Sequence, residues 1–251
     1  MKTIIEVSKL NFSYEDKKIL KDISFKLFEN DRLCIIGPNG SGKTTLLKSL
    51  CNILNFEGSI FFNDKNIKDI EVHKTAAFMS QMSEIYFDYT VFDTVMLGRY
   101  ASFKDKIFSM PDKKDKDAVL ECLERLKIIH LKDKSIKELS GGELQKVFLA
   151  RVFAQNPKII FMDEPANHLD LNSQIELIYN LKEWAREYGR CIVAVMHDIN
   201  NVFNFANKIL LLSEGKILYF GSIESFDLKL LNKIYNADVV EYMRNSLKKW
   251  Q

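Results

Sequence analysis

The chain has 251 residues and a nearly balanced charge, 36 Lys+Arg against 34 Asp+Glu, for a net of +2. With 47% hydrophobic residues it can bury a substantial core, which excludes a disordered chain, and near-neutrality argues against a dedicated nucleic-acid binder. The 4 cysteines (Cys34, Cys51, Cys122, Cys191) are widely spaced and read as ordinary thiols rather than a disulfide framework or zinc site, and no apolar run approaches the roughly 18 residues that span a bilayer.

The opening Met1-Lys2-Thr3-Ile4-Ile5-Glu6 meets an acidic residue too early for a signal peptide, so a soluble, cytosolic chain is expected unless a partner holds it elsewhere. Strand-like apolar runs then recur at 4–7, 23–27, 33–36, 59–62, 77–79, 159–162, 192–196, 209–212 and 216–220. Several are apolar throughout, as in strands covered on both faces of a parallel sheet. Helical periodicity falls between them at 43–54, 113–126, 142–154, 173–188 and 199–206. This alternation predicts an α/β fold. Residues 83–155 carry helical periodicity without a convincing strand and read as a helical subdomain inserted into the α/β core. Inside it, Lys and Asp interleave over 104–117 around Pro111, the pattern of a solvated loop leading into a helix. The last stretch, 223–251, is short and helix-like, too small for a further domain.

Of the 10 glycines, Gly37, Gly40 and Gly42 form one cluster and Gly141 and Gly142 another, marking where backbone must approach something closely. The first cluster lies in Gly37-Pro38-Asn39-Gly40-Ser41-Gly42-Lys43-Thr44-Thr45, between the strand at 33–36 and a helix. This is a strand–loop–helix phosphate cradle: backbone N–H groups converge on phosphate oxygens, and the helix N-terminus adds its dipole. Lys43 supplies a point charge for the β/γ-phosphates, Thr44 can ligate Mg²⁺, and Thr45 is placed to reach the α-phosphate. The second cluster, Leu139-Ser140-Gly141-Gly142-Glu143, opens an apolar-periodic helix with Ser140 as its cap. By itself it is a well-capped helix start whose N–H groups could also face an anion.

Further on, Ile159-Ile160-Phe161-Met162 is a buried-type strand ending in Asp163 and Glu164. Beside the phosphate loop, Asp163 would hold Mg²⁺ and Glu164 would polarise an attacking water as general base. His197 follows the strand at 192–196 in the same topological position. Alone it reads as a polar loop residue next to the helix cap Asp198; near Glu164 it could bond a γ-phosphate and hold the water.

Together these residues resemble the nucleotide-binding subunit of an ATP-binding cassette (ABC) transporter, over nearly the whole chain and in the family's order. An aromatic, Tyr14, is followed by a Walker A loop at 37–45, a Q-loop at Gln81, the signature at 139–143, a Walker B strand at 159–164, a D-loop at Asn167-His168-Leu169-Asp170 and a switch histidine at His197. The resemblance implies a P-loop NTPase cassette: a RecA-like α/β core with an antiparallel β subdomain over 1–82 and 156–251, and a helical subdomain over 83–155 carrying the signature. It further implies that Tyr14 stacks on adenine, that Gln81 contacts Mg²⁺ and the attacking water, and that Ser140 and Gly142 contact the γ-phosphate of ATP bound to an opposite chain. Asp170 would help couple the two sites. One Walker A and one signature then require a dimer of two cassettes, at the cytoplasmic membrane face, with permease subunits as direct partners and a substrate-binding protein as an indirect one. Nucleic acid is not an expected partner. The signature ends in Glu143 where the commonest form has Gln, and the D-loop reads Asn-His-Leu-Asp rather than Ser-Ala-Leu-Asp.

Phe87-Asp88-Tyr89-Thr90-Val91, Val95-Met96-Leu97-Gly98-Arg99-Tyr100 and Glu164-Pro165-Ala166-Asn167-His168-Leu169-Asp170-Leu171 resemble cassettes of importers for iron–siderophore complexes, haem and cobalamin, although Leu-Gly-Arg there usually continues as Pro-His rather than Tyr100-Ala101. Cassettes of other metal-ion or oxyanion importers, and soluble cassettes outside transport, remain as alternatives. A plain nucleotide kinase would have no use for the signature or the switch histidine.

Overall fold

The structure, a computed structural model, describes residues 2–80, 88–102, 111–167, 169–187 and 189–248. Its strands are β1 (Thr3–Tyr14), β2 (Lys17–Phe28), β3 (Arg32–Ile36), β4 (Glu57–Phe62), β5 (Lys65–Asn66), β6 (Ala76–Met79), β7 (Ile159–Asp163), β8 (Cys191–Val195), β9 (Lys208–Ser213) and β10 (Lys216–Ser222). Its α-helices are α1 (Lys43–Leu50), α2 (Val91–Met96), α3 (Lys113–Arg125), α4 (Gly141–Ala154), α5 (Leu171–Arg186), α6 (Ile199–Phe205), α7 (Lys229–Tyr235) and α8 (Val239–Lys248).

The strands form two sheets. An antiparallel one runs β2-β1-β4-β5, and a six-stranded one runs β10-β9-β3-β8-β7-β6, parallel except for its edge strand β10. β1 and β2 are far longer than the apolar runs at 4–7 and 23–27 suggest, at 12 residues each. The simple in–out alternation fails because Lys9 and Asp22 take left-handed backbone angles, φ 50° and 54°, and the pairing register shifts between Val7 and Leu10. Such bulges carry the hairpin past the point where period-2 alternation stops being visible. α1 ends at Leu50 rather than at 54, because Asn52 turns left-handed (φ 57°) and closes the helix.

Alternate residues of the parallel strands face opposite ways. Leu33, Ile35, Phe161 and Val193 join the antiparallel sheet and α1 in one apolar core. Cys34, Ile36, Ile160 and Ile192 join the buried faces of α2 to α6 in the other. Of the charge run, 104–110 lies outside the described residues; the rest leads into α3 with its charges exposed, except for one. Asp115 is buried, closing a capping box with Asp112 at the start of α3 and accepting from Arg99 Nε at 3.1 Å. Arg99 also donates to the Ala154 carbonyl at 2.8 Å, so the arginine of the Leu-Gly-Arg element bolts α3 to the end of α4. Among the described residues no helix is long and apolar enough to cross a membrane.

Candidate active site

β3 runs into the phosphate loop, and the loop into α1. The loop is braced from beneath. Gly37 has φ 149°, and a Cβ there would lie 2.0 Å from the Leu212 carbonyl oxygen, so a side chain cannot be accommodated. The Ser41 carbonyl accepts the Gly215 N–H at 3.2 Å, tying the loop to the β9–β10 turn. Ser41 Oγ is buried without a protein partner, a hydroxyl suited to a phosphate oxygen. Asn39 and Gly40 are exposed at the loop's tip. Lys43 is buried and donates from Nζ to the Gly37 and Pro38 carbonyls, both at 2.9 Å. Burial pulls its ammonium below the usual lysine range, while Glu164 and Asp163 push it back up. Thr44 and Thr45 are half-buried on the first turn of α1.

β7 and β8 are paired so that Asp163 lies beside Val195, and the acidic pair and the histidine loop leave the sheet at the same edge. Thr44 Oγ1 donates to Asp163 Oδ1 at 3.3 Å, which brings the phosphate loop to the strand end. Burial raises the Asp163 carboxyl above its ordinary range, the Thr44 hydrogen bond lowers it, and Glu164 raises it further. Glu164 sits in the left-handed region at φ 52°, uncommon for a residue with a side chain. Its N–H donates to the Val195 carbonyl at 3.0 Å, which aims the side chain toward β8's exit. Glu164 Oε1 lies 2.5 Å from His197 Nε2, and Oε2 accepts from the Asn167 amide. His197 thus lies beside Glu164, the placement on which the second of its two readings depends. Asp198 caps α6 by accepting from the Asn200 and Asn201 N–H groups at 2.7 and 3.4 Å. A 140 Å³ cleft opens here, lined in part by Glu164, Asn167, Gln174 and His197.

Two polar residues, one lining this cleft and one bonded to Pro165 in its wall, were not singled out as site residues from sequence. Asn167 holds the carboxylate from the side opposite His197; its only signal is that it stands where serine is frequent. Gln145, buried on α4, donates to the Pro165 carbonyl at 2.7 Å; its signal is an amide among the apolar positions of a helix.

The other candidates are dispersed. Tyr14 ends β1 with 51% of its surface exposed and its ring edge-on to Phe12 at 4.7 Å. Ser140 caps α4, and Glu143 turns back onto that cap, accepting from the Ser140 N–H at 2.9 Å and Oγ–H at 2.7 Å. Those two bonds hold the Glu143 carboxyl below its ordinary range. Asp170 caps α5, its two oxygens accepting from the Ser173 N–H at 3.0 Å and hydroxyl at 2.8 Å. Gln81, together with Phe87 and His168 of the resemblance, lies outside the described residues.

Residues 20–167 match the family model described as ABC transporter. The manganese transport system ATP-binding protein MntB of Listeria monocytogenes is 35% identical over 223 residues, 88% of this chain and 90% of that protein. The ferric enterobactin transport ATP-binding protein FepC of Escherichia coli is 32% identical over 231 residues, 90% of this chain and 84% of FepC. Among solved structures, a metal-chelate type ABC transporter in an inward-facing conformation superposes with a TM-score of 0.83 at 29% identity, covering 94% of this chain and 90% of the other.

Proposed function

This chain belongs to the ABC transporter family, as one of its ATP-hydrolysing cassettes, and from that premise we propose that it energises import of a metal chelate through a separate membrane permease. The convergence of Lys43, the Thr44–Asp163 pair and the Glu164–His197 pair at one sheet edge carries the hydrolytic part of the reading. Ligands of open α/β sheets gather at the carboxyl ends of the strands, where these residues stand. The cargo part rests on the relative named for ferric enterobactin transport and on the metal-chelate type neighbour. Uptake of a bare metal ion is the second reading, favoured by the manganese relative.

In this proposal the loop over 37–45 holds the phosphates of ATP through its N–H groups, Ser41 and Lys43. Thr44 and Asp163 offer a hydroxyl and a carboxylate 3.3 Å apart, hard oxygen donors that fit Mg²⁺ bound jointly with substrate phosphates, and Gln81 is proposed as a further ligand on the resemblance. Mg²⁺ would supply charge neutralisation at the β/γ-phosphates. Glu164 takes the proton of the attacking water, while His197 and Asn167 fix the direction of its carboxylate. Tyr14 offers its exposed ring to the adenine. Ser140 and Gly142 serve the ATP of a second cassette, so that the working unit is a dimer held at the membrane by permease subunits that receive cargo from a binding protein.

Glu164→Gln tests the hydrolytic assignment. The variant should bind ATP normally and hydrolyse it at least about 10²-fold more slowly. Turnover near that of the unaltered chain would remove Glu164 from its role. For cargo, the cassette is assembled with its permease in vesicles and uptake of a ferric siderophore is compared with that of manganese ion. Transport of manganese alone would select the second reading.

A further inference from the structure

α4 is fastened to the segment leaving β7 within a single chain. Gly142 approaches α5 so closely that a Cβ would lie 2.4 Å from Ser173 Oγ. Lys146 Nζ lies 2.5 Å from Glu176 Oε2. Between them Gln145, 6% exposed, gives its amide to the Pro165 carbonyl at 2.7 Å. Pro165 directly follows Glu164, whose left-handed backbone is framed by its own N–H on Val195 and by the Asn167 N–H on its carbonyl at 3.2 Å. Gln145 thus grips the turn that aims the proposed base. Leu144, Val147, Leu149 and Ala150 around it are buried and apolar. An apolar residue of similar size would fill the position without the cost of desolvating an amide. What the amide adds is direction, because in dry surroundings no water replaces the bond when the turn moves.

We infer that Gln145 is a positioning residue that couples two ATP sites: phosphate docked against Ser140 shifts α4, and the Gln145–Pro165 hydrogen bond passes the shift to Glu164 of the same chain. The inference rests on the dimer reading above, in which the signature serves the partner's ATP while Glu164 serves its own. Each chain then senses one nucleotide and acts on the other. The Gly142 and Lys146 contacts hold the start of α4 against α5, and Gln145 is the one of the three that bonds to the backbone of the base's turn.

The test is steady-state ATPase of the full chain against ATP concentration, for the unaltered protein and for Gln145→Met, with ATP affinity and thermal midpoint measured alongside. The unaltered chain should respond sigmoidally, with a Hill coefficient above unity. Gln145→Met should lose that sigmoidality and lower kcat by about 10- to 100-fold, the effect of a misaimed reacting group, with KM and ATP affinity unchanged. A hyperbolic response of the unaltered chain, or a variant that keeps both kcat and sigmoidality, would overturn the inference. So would a parallel fall of kcat, ATP affinity and thermal midpoint, which marks Gln145 as packing alone. Gln145→Leu gives a second reading if Met does not fold, and failure of both to fold also overturns it. Glu164→Gln is run in parallel: active Glu164→Gln defeats the base assignment itself, whereas inactive Glu164→Gln with cooperative Gln145→Met defeats only the coupling.

Discussion

Asp163 stands where stability and chemistry pull apart. It ends β7 partly desolvated, next to Glu164, with a single hydrogen bond from Thr44 to favour its ionised form. Its folded-state carboxyl is raised, so the folded chain holds a proton that the unfolded chain has released over the window between the two values. Stability from this group is therefore fully present below the ordinary carboxylate range and is lost as pH rises through the raised value. Asp163→Asn keeps the shape and removes the titration. In thermal melts of nucleotide-free protein, its midpoint should match the unaltered chain's at about pH 3 and exceed it at about pH 7, while ATP hydrolysis is lost. Parallel melting curves at both values would show that Asp163 carries no such penalty.

At the scale of elements, the junction of α3, α4 and α5 turns on two rings. Phe153 of α4 lies flat on Trp184 of α5, centroids 5.9 Å apart at 4° between planes, with the Arg125 guanidinium 5.0 Å from the Phe153 centroid. Phe153→Ala removes a buried ring from between Trp184 and Arg125. It should cost about 3–5 kcal/mol in urea unfolding and leave ATP binding at the 37–45 loop intact. A loss below about 1 kcal/mol would mean that the helices collapse onto the vacated space.

The elements also show what a sequence reveals. The strand–loop–helix around Lys43 and the strand ending at Asp163 were readable because each packs its own constraint into adjacent residues: glycines where backbone must turn, an unbroken apolar run where both faces are covered. The outer halves of β1 and β2 were not, because left-handed Lys9 and Asp22 break the alternation from which strands are read. Asp115 was hidden for a related reason. Within a run of Lys and Asp nothing local distinguishes the one carboxylate that meets Arg99. Asn167 and Gln145 act on groups 3 and 20 positions away, and the second distance is set by the fold alone.

At the scale of the molecule, each chain has one phosphate loop and one capped glycine pair at the start of α4. If these complete each other across two chains, Lys43→Ala and Ser140→Arg should each lose hydrolysis alone, and an equal mixture should regain it. Half of the dimers would then be mixed, each with one sound site of two, so recovery should reach at most roughly a quarter of the unaltered rate. Full activity of Ser140→Arg alone would show that the chain does not share its sites, and recovery well below that quarter is what coupling through Gln145 predicts, because the sound site's Glu164 belongs to the chain bearing the Arg.

The six-stranded sheet has a further consequence. β3, β7 and β8 give alternate residues to the two apolar cores, so the cores are not neighbouring compartments but opposite faces of one wall. Removing either strips cover from strands that the other also needs. Neither half of the molecule is then expected to stand as a fragment, and the parallel strands should melt together with both cores, with no stable intermediate that keeps one core and exposes the other.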